Sequence, residues 1–240
     1  MFDSDAIAWL RQCALPFWVD RGLSRTEGAF YERLTMDGVA LTSVPRRLLV
    51  QARQLYVYSD AYRRGLYGAG LEVAARCFET MISRYWEAGG LPGFAHALDQ
   101  DGTVADARRE SYDHAFALFG LAAYYRANPD QRVLAAVDNV LGFLDTHLSA
   151  DNLGYHENLE RTLPRRQNPH MHLLEAFLAL YHATGDDRHL DRADATLDLF
   201  RTHFFDRKTG FVLEYFDADW RPLSAREQRV EPGHMMEWAW

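Results

Sequence analysis

Two segments of this 240-residue chain place a histidine and a glutamate three residues apart, His172 with Glu175 and His234 with Glu237. On a helix, positions i and i+3 share a face, so each pair can set a carboxylate against an imidazole. A carboxylate there fixes the ring's tautomer and raises its basicity, leaving a group that shuttles protons near neutral pH. Both pairs are read as lying in first helical turns, where unpaired N–H groups and the positive end of the dipole favour a developing oxyanion. Arg53 adds a permanent positive charge, and Asn168, just ahead of Pro169, suits a helix cap or a ligand for a hydroxyl. His114, beside Asp113, holds a matching place upstream, while Tyr112 and Trp238 offer flat faces for stacking on a ligand.

Plainer and rival readings stand beside these. A histidine in an apolar helix is commonly a satisfied core residue, a reading kept open for His114 and preferred for His170, and His96 and His156 are read as exposed polar residues. Tyr56 and Phe116 at helical spacing belong to the core. Two helices each giving a His and a Glu resemble di-metal carboxylate bundles. Those bundles use Glu-x-x-His and add glutamates from two further helices, which the other apolar helices here lack, so no metal is expected. No serine stands in a Gly-x-Ser-x-Gly elbow. Glu175, Glu237 and Asp113 keep open the paired acids of an inverting glycosidase, although histidines dominate.

The elements that must position these groups repeat. Arg47, Arg109, Arg166 and Arg229 each precede a helical pattern and stand five or six residues before Arg53, His114, His172 and His234, in segments about sixty residues apart. Each unit reads as a helix, a short turn, a second helix and a hairpin-like excursion. The clearest runs from Pro169: Leu173, Leu174, Phe177, Leu178 and Tyr181 at helical spacing, a turn over 183–187, then Leu190, Ala193, Leu197 and Phe200, then the alternating FVLEYFDADW. First-type helices are apolar nearly all round, with small residues such as Ala115, Ala117, Ala176 and Ala179. Second-type helices carry one apolar stripe opposite charge, as with Arg188, Asp191, Arg192 and Asp194. An inner layer of the first type and an outer layer of the second, in antiparallel pairs, predicts an all-α (α/α) toroid with short β-hairpins on one rim. A looser superhelix of helical pairs is the competing architecture.

Composition sets the class. With 48% apolar residues, the chain buries a sizeable core as one domain, 1–240. A formal charge of −8 without a basic run argues against nucleic acid. The opening MFDSDAIAWL has no basic n-region, and no apolar stretch approaches the ~20 residues that span a bilayer. Cys13 and Cys77 lack metal-ligand spacing and are read as buried small hydrophobes, which makes a cytoplasmic location the default.

The segments RLLVQARQLYVYS, QNPHMHLLEAFLALYHATGD and VEPGHMMEWAW resemble the N-acylglucosamine 2-epimerase superfamily, which includes cellobiose 2-epimerases, mannose isomerases and sulfoquinovose isomerases. The resemblance implies an (α/α)6 barrel and acid/base chemistry at C2 of a sugar with no metal or cofactor. It implies that Arg53 holds substrate oxygens and stabilises an enediolate, and that Asn168 and His172 serve substrate binding and ring opening. It also implies that His234 is a catalytic acid/base with Glu237 as partner, and that Tyr112 contacts the sugar. Glu175, Trp238 and His114 complete the expected site. The implied reaction takes a proton from C2 of an open-chain aldose, most readily one like mannose, through a cis-enediolate. Return of the proton at C1 gives a ketose, and delivery to the opposite face of C2 gives the epimer.

Six helical pairs at about sixty residues each need about 360 residues, so the chain is expected to hold some seven to eight of the twelve helices as an open arc. On that expectation it would be inactive alone, form a homodimer, or need a complementing C-terminal segment, since a second catalytic histidine is implied on a later inner helix. The alternatives are a cellobiose or N-acylglucosamine 2-epimerase, or a helical-repeat interaction module without catalysis.

Overall fold

The arginine-led starts do open helices. In the computed structural model, which describes residues 4–240, the first-type helices are α2 (Leu48–Arg63), α4 (Ser111–Ala127), α6 (Asn168–Thr184) and α8 (Pro232–Ala239). The second-type helices are α1 (residues 4–22), α3 (Gly70–Thr80), α5 (Gln131–Phe143) and α7 (Asp187–Leu199). After α3, α5 and α7 the helix runs on through one wider five-residue turn, Met81–Tyr85, Leu144–Leu148 and Phe200–Phe204. Burial follows the predicted layers. In α4 every residue of 113–118 is buried, whereas α7 buries only His189, Ala193, Thr196 and Leu199, one stripe at helical spacing. No helix among the described residues is long and apolar enough to cross a membrane.

Packing divides the chain into two compact units. The first comprises the residues through Arg108 together with Phe119–Asn139. Here α2 lies close against its neighbours through glycines: a Cβ on Gly120 would stand 2.7 Å from the Ala52 carbonyl oxygen, and one on Gly70 would stand 2.6 Å from that of Tyr58. Buried Gln51 closes the start of α2 by accepting from Phe30 N–H and donating to Phe30 C=O, both at 2.8 Å. The strand β1 (Arg46–Arg47) pairs with β2 (Ala97–Leu98), which pairs with β3 (Val104–Asp106), all antiparallel. Glu32, buried, holds Arg47 by accepting from its backbone N–H (3.0 Å) and its Nε–H (2.7 Å). Cys77 is buried in this unit as expected; Cys13 is exposed, because α1 turns it off the packed side that carries Leu15.

The second unit comprises Arg109–Leu118 and Val140–Trp240. Its α6 ends where the 183–187 turn was read. Gly185 takes φ 71° and donates to Tyr181 C=O, and Asp186 caps α7 by accepting from Arg188 N–H at 3.0 Å. The excursion after α7 splits its pairing. β5 (Phe205–Asp206) and β6 (Phe211–Val212) form a hairpin, and β7 (Tyr215–Phe216) pairs with β4 (Arg165–Arg166), the lead-in to α6. Alternation buries Val212, Glu214 and Phe216 together. Leu199, Phe204, Val212, Phe216 and Trp220 form one core cluster, on which Met235 and Trp238 of α8 pack. Arg165 lies 3.4 Å over the Trp220 ring and donates to Asn152 Oδ1 and to the carbonyls of Leu153, Tyr155 and Ala218. The Glu32–Arg47 arrangement recurs here, since buried Glu157 accepts from both the N–H and the Nε–H of Arg166 at 2.6 Å.

Candidate active site

The second unit gathers two histidines with partners that suit proton transfer. His172, in the second turn of α6, has Nδ1 2.7 Å from Glu175 Oε2, so the i,i+3 geometry forms as the spacing demands. A carboxylate accepts only, so Nδ1 carries the proton donated to Glu175 and Nε2 is left to a ligand. The ring is wedged by Tyr112, edge-on at 5.3 Å, and by Phe116 at 4.5 Å between centroids, both from the first turns of α4. His172 and Glu175 keep 12% and 22% of their side-chain surface, enough to meet a ligand.

His234 stands in the first turn of α8. Its Nδ1 is 2.9 Å from Glu214 Oε1, and its Nε2 is 3.3 Å from Asn168 Nδ2. Glu214 is buried and also accepts from Gln167 Nε2, at 3.1 and 3.0 Å on its two oxygens. Asn168 Oδ1 is buried and has no hydrogen-bond partner. An orphaned buried acceptor costs about 1–3 kcal/mol, and here it lies on the side chain that touches the His234 imidazole.

Several sequence expectations are corrected. Glu237 is exposed, and the carboxylate that meets His234 is Glu214, twenty residues upstream on the strand side rather than three residues on along the helix. Only His234 of the four HxxE residues lies in a first turn, because α6 already begins at Asn168. For the same reason Asn168 is not the cap; Gln167 stands at that position. His114 has no accessible surface to offer a substrate: it sits with Nδ1 2.7 Å from Glu110 C=O, stacked on Phe143 at 4.3 Å, and burial pushes its pKa down to about 4. Trp238 is half-buried, with one face on Phe200 at 4.3 Å and its indole N–H donated to Gln167 Oε1.

His170 is structural, as read. Its Nε2 accepts from Tyr155 N–H at 2.9 Å, Nδ1–H faces Arg166 C=O at 3.1 Å, and burial pushes its pKa down to about 3. Arg53 belongs to α2 of the first unit, while all the other expected site residues lie in the second. Glu214 is the residue that sequence reading missed. Its signal was present, since a glutamate occupies an inward position of the FVLEYF alternation, where an apolar residue belongs.

Residues 28–240 match the family signature described as N-acylglucosamine 2-epimerase (GlcNAc 2-epimerase). The chain belongs to the N-acylglucosamine 2-epimerase family. It is similar to a mannose-6-phosphate isomerase of Rhizobium meliloti (strain 1021), 35% identical over 97% of this chain and 60% of the relative. A cellobiose 2-epimerase of Bacteroides fragilis is 27% identical over 94% of this chain and 61% of its own length. Among solved structures, the cellobiose 2-epimerase of Spirochaeta thermophila superposes with a TM-score of 0.87 at 26% identity, covering 98% of this chain and 61% of that one. The all-α fold of helix pairs with short strands is thus that of the (α/α)6-barrel epimerases. The chain spans about 60% of the length of these two relatives.

Proposed function

We propose that this chain serves a sugar isomerase acting at C1 and C2 of a free, mannose-like aldose. Asn168 carries the reading. A buried amide oxygen without a partner, on a side chain that also contacts an imidazole, suits a ligand hydroxyl next to a transferable proton. In the proposed sequence His172 Nε2 takes the proton of the anomeric hydroxyl and returns it to the ring oxygen, which opens the ring. His234 Nε2 then takes the C2 proton, the C2–H electron pair forms the C1=C2 double bond while the carbonyl pair moves onto O1 to give the cis-enediolate, the O2 proton passes to O1, and the imidazolium returns its proton to C1 as C2=O forms, yielding the ketose. Tyr112 is assigned to the sugar's flank and Glu175 to holding His172. Arg53 keeps its enediolate-stabilising role on the family motif alone.

Isomerisation needs one base working on one face, and His234 supplies one, whereas epimerisation needs an acid on each side. The name of the Rhizobium meliloti relative, a mannose-6-phosphate isomerase, supports isomerisation of a mannose-type sugar, and that of the Bacteroides fragilis relative, a cellobiose 2-epimerase, supports the epimerase alternative. The proposal extends to a homodimer or a complementing segment that completes the pocket. Its test is an NMR panel of mannose, mannose 6-phosphate, N-acetylglucosamine and cellobiose. The panel is run with the 240-residue chain and with a chimera in which the remaining residues of the Rhizobium meliloti relative follow Trp240. Conversion of mannose to fructose in either arm is expected. Absence of any conversion in both overturns the proposal, and epimer formation from cellobiose without ketose from mannose replaces it with the epimerase alternative.

A further inference from the structure

We propose that Glu214 is the positioning residue of His234, fixing which ring nitrogen holds the proton and so leaving Nε2 as the base. The assignment follows from one side chain that can only donate. The Trp238 indole has an N–H and no acceptor, and it meets Gln167 Oε1. Gln167 is therefore oriented with its NH2 toward Glu214, to which it donates from Nε2 at 3.0 and 3.1 Å. Gln167 Nε2 also lies 3.1 Å from His234 Nδ1. Glu214 Oε1 lies 2.9 Å from the same Nδ1. If Nδ1 were bare, its lone pair would face a carboxylate oxygen at that distance, so Nδ1 carries the hydrogen and donates it to Glu214. Nε2 of the neutral ring then holds the lone pair and accepts from Asn168 Nδ2, which leaves Asn168 Oδ1 as the orphan.

Glu214 is itself clamped. Its backbone N–H donates to Gln228 Oε1 at 3.1 Å, its carbonyl accepts from Gln167 N–H at 3.2 Å, and Gln228 Oε1 also takes the Tyr215 N–H at 3.2 Å. A buried carboxylate in a strand alternation is costly to keep unless its charge is used. Here it has two donors, one of them the imidazole. The arrangement is a carboxylate–histidine pair in which the carboxylate comes from the link between β6 and β7 and the imidazole from α8.

The tautomer does not depend on any sugar, and only the kinetic consequence rests on the isomerase reading. Two-bond 1H–15N spectra of histidine-labelled protein, with His234→Asn to assign the ring, should show native His234, in its neutral form, with Nδ1 protonated and Nε2 bare. Protonated Nε2 in the native protein overturns the proposal without any variant having to fold. In Glu214→Ala the proton should move mainly to Nε2, the tautomer that free imidazoles favour, and Glu214→Asp should restore Nδ1–H. A folded Glu214→Ala protein with the native pattern overturns it. With mannose as probe, Glu214→Ala should lower kcat on the order of 10²-fold with KM within about 3-fold. An altered tautomer with unchanged kcat overturns the catalytic half. No turnover with native Glu214 in either the 240-residue chain or the chimera refutes the isomerase reading while the tautomer result stands.

Discussion

Replacing His170 by Gln should make the protein more resistant to acid, by an amount that the structure sets. In the folded state burial holds His170 neutral to about pH 3, against 6.5 for the free side chain. At every pH between those values the unfolded chain binds a proton that the folded chain refuses. Stability conferred by the neutral ring is thus complete above 6.5 and drains away as pH falls, by up to about 1.4 kcal/mol per pH unit. Between about pH 6.5 and pH 4.5 that amounts to about 2 kcal/mol from this one side chain. Glutamine can make both of its contacts, accepting from Tyr155 N–H and donating to Arg166 C=O, as Gln51 does for both polar groups of Phe30 in the first unit. It has no proton to take up. Urea unfolding of native protein and His170→Gln across this pH range isolates the difference, because the carboxylates, and His114 with its own pKa near 4, are common to both. The native protein should lose about 2 kcal/mol more than the variant. Parallel loss would refute the claim that His170 is buried neutral.

Glu157→Ala removes both partners of the Arg166 lead-in and leaves a half-buried cation, so it should destabilise by about 2–4 kcal/mol in urea. Gly120→Val drives a side chain into the Ala52 carbonyl and should cost about 2–3 kcal/mol, read as a lowered Tm. Glu175→Gln weakens the hold on His172 and should lower turnover of a cyclic sugar more than that of a substrate supplied in open-chain form, measured by NMR progress curves; equal losses would place His172 outside ring opening.

The legible parts of the chain were those written within one helix. His172 and Glu175 were found together because i,i+3 spacing alone fixes their meeting. The α6–α7 turn was found because Gly185 and Asp186 each carry a local conformational signal. His114 misled because its distance from the arginine does not fix its exposure: five residues on, Ala52, His114 and Met171 are buried while His234 is only half-buried. The His234 partner was illegible for a different reason. Glu214 reaches it from the position just before β7, the strand that pairs with the lead-in to α6, a contact that only tertiary pairing specifies. The repeated HxxE wording pointed to Glu237 because sequence spacing reports shared helix faces and nothing of what packs across them.

The central claim is that His234 Nε2 removes the C2 proton of an aldose. The direct measurement is loss of the C2 proton signal of mannose in D2O, followed by NMR for native protein and His234→Asn, in the 240-residue chain and in the chimera. The account predicts exchange with native His234 in at least one arm, and its loss by a factor on the order of 10² or more in His234→Asn with the fold intact. No exchange in either arm, or exchange that survives His234→Asn, would contradict it.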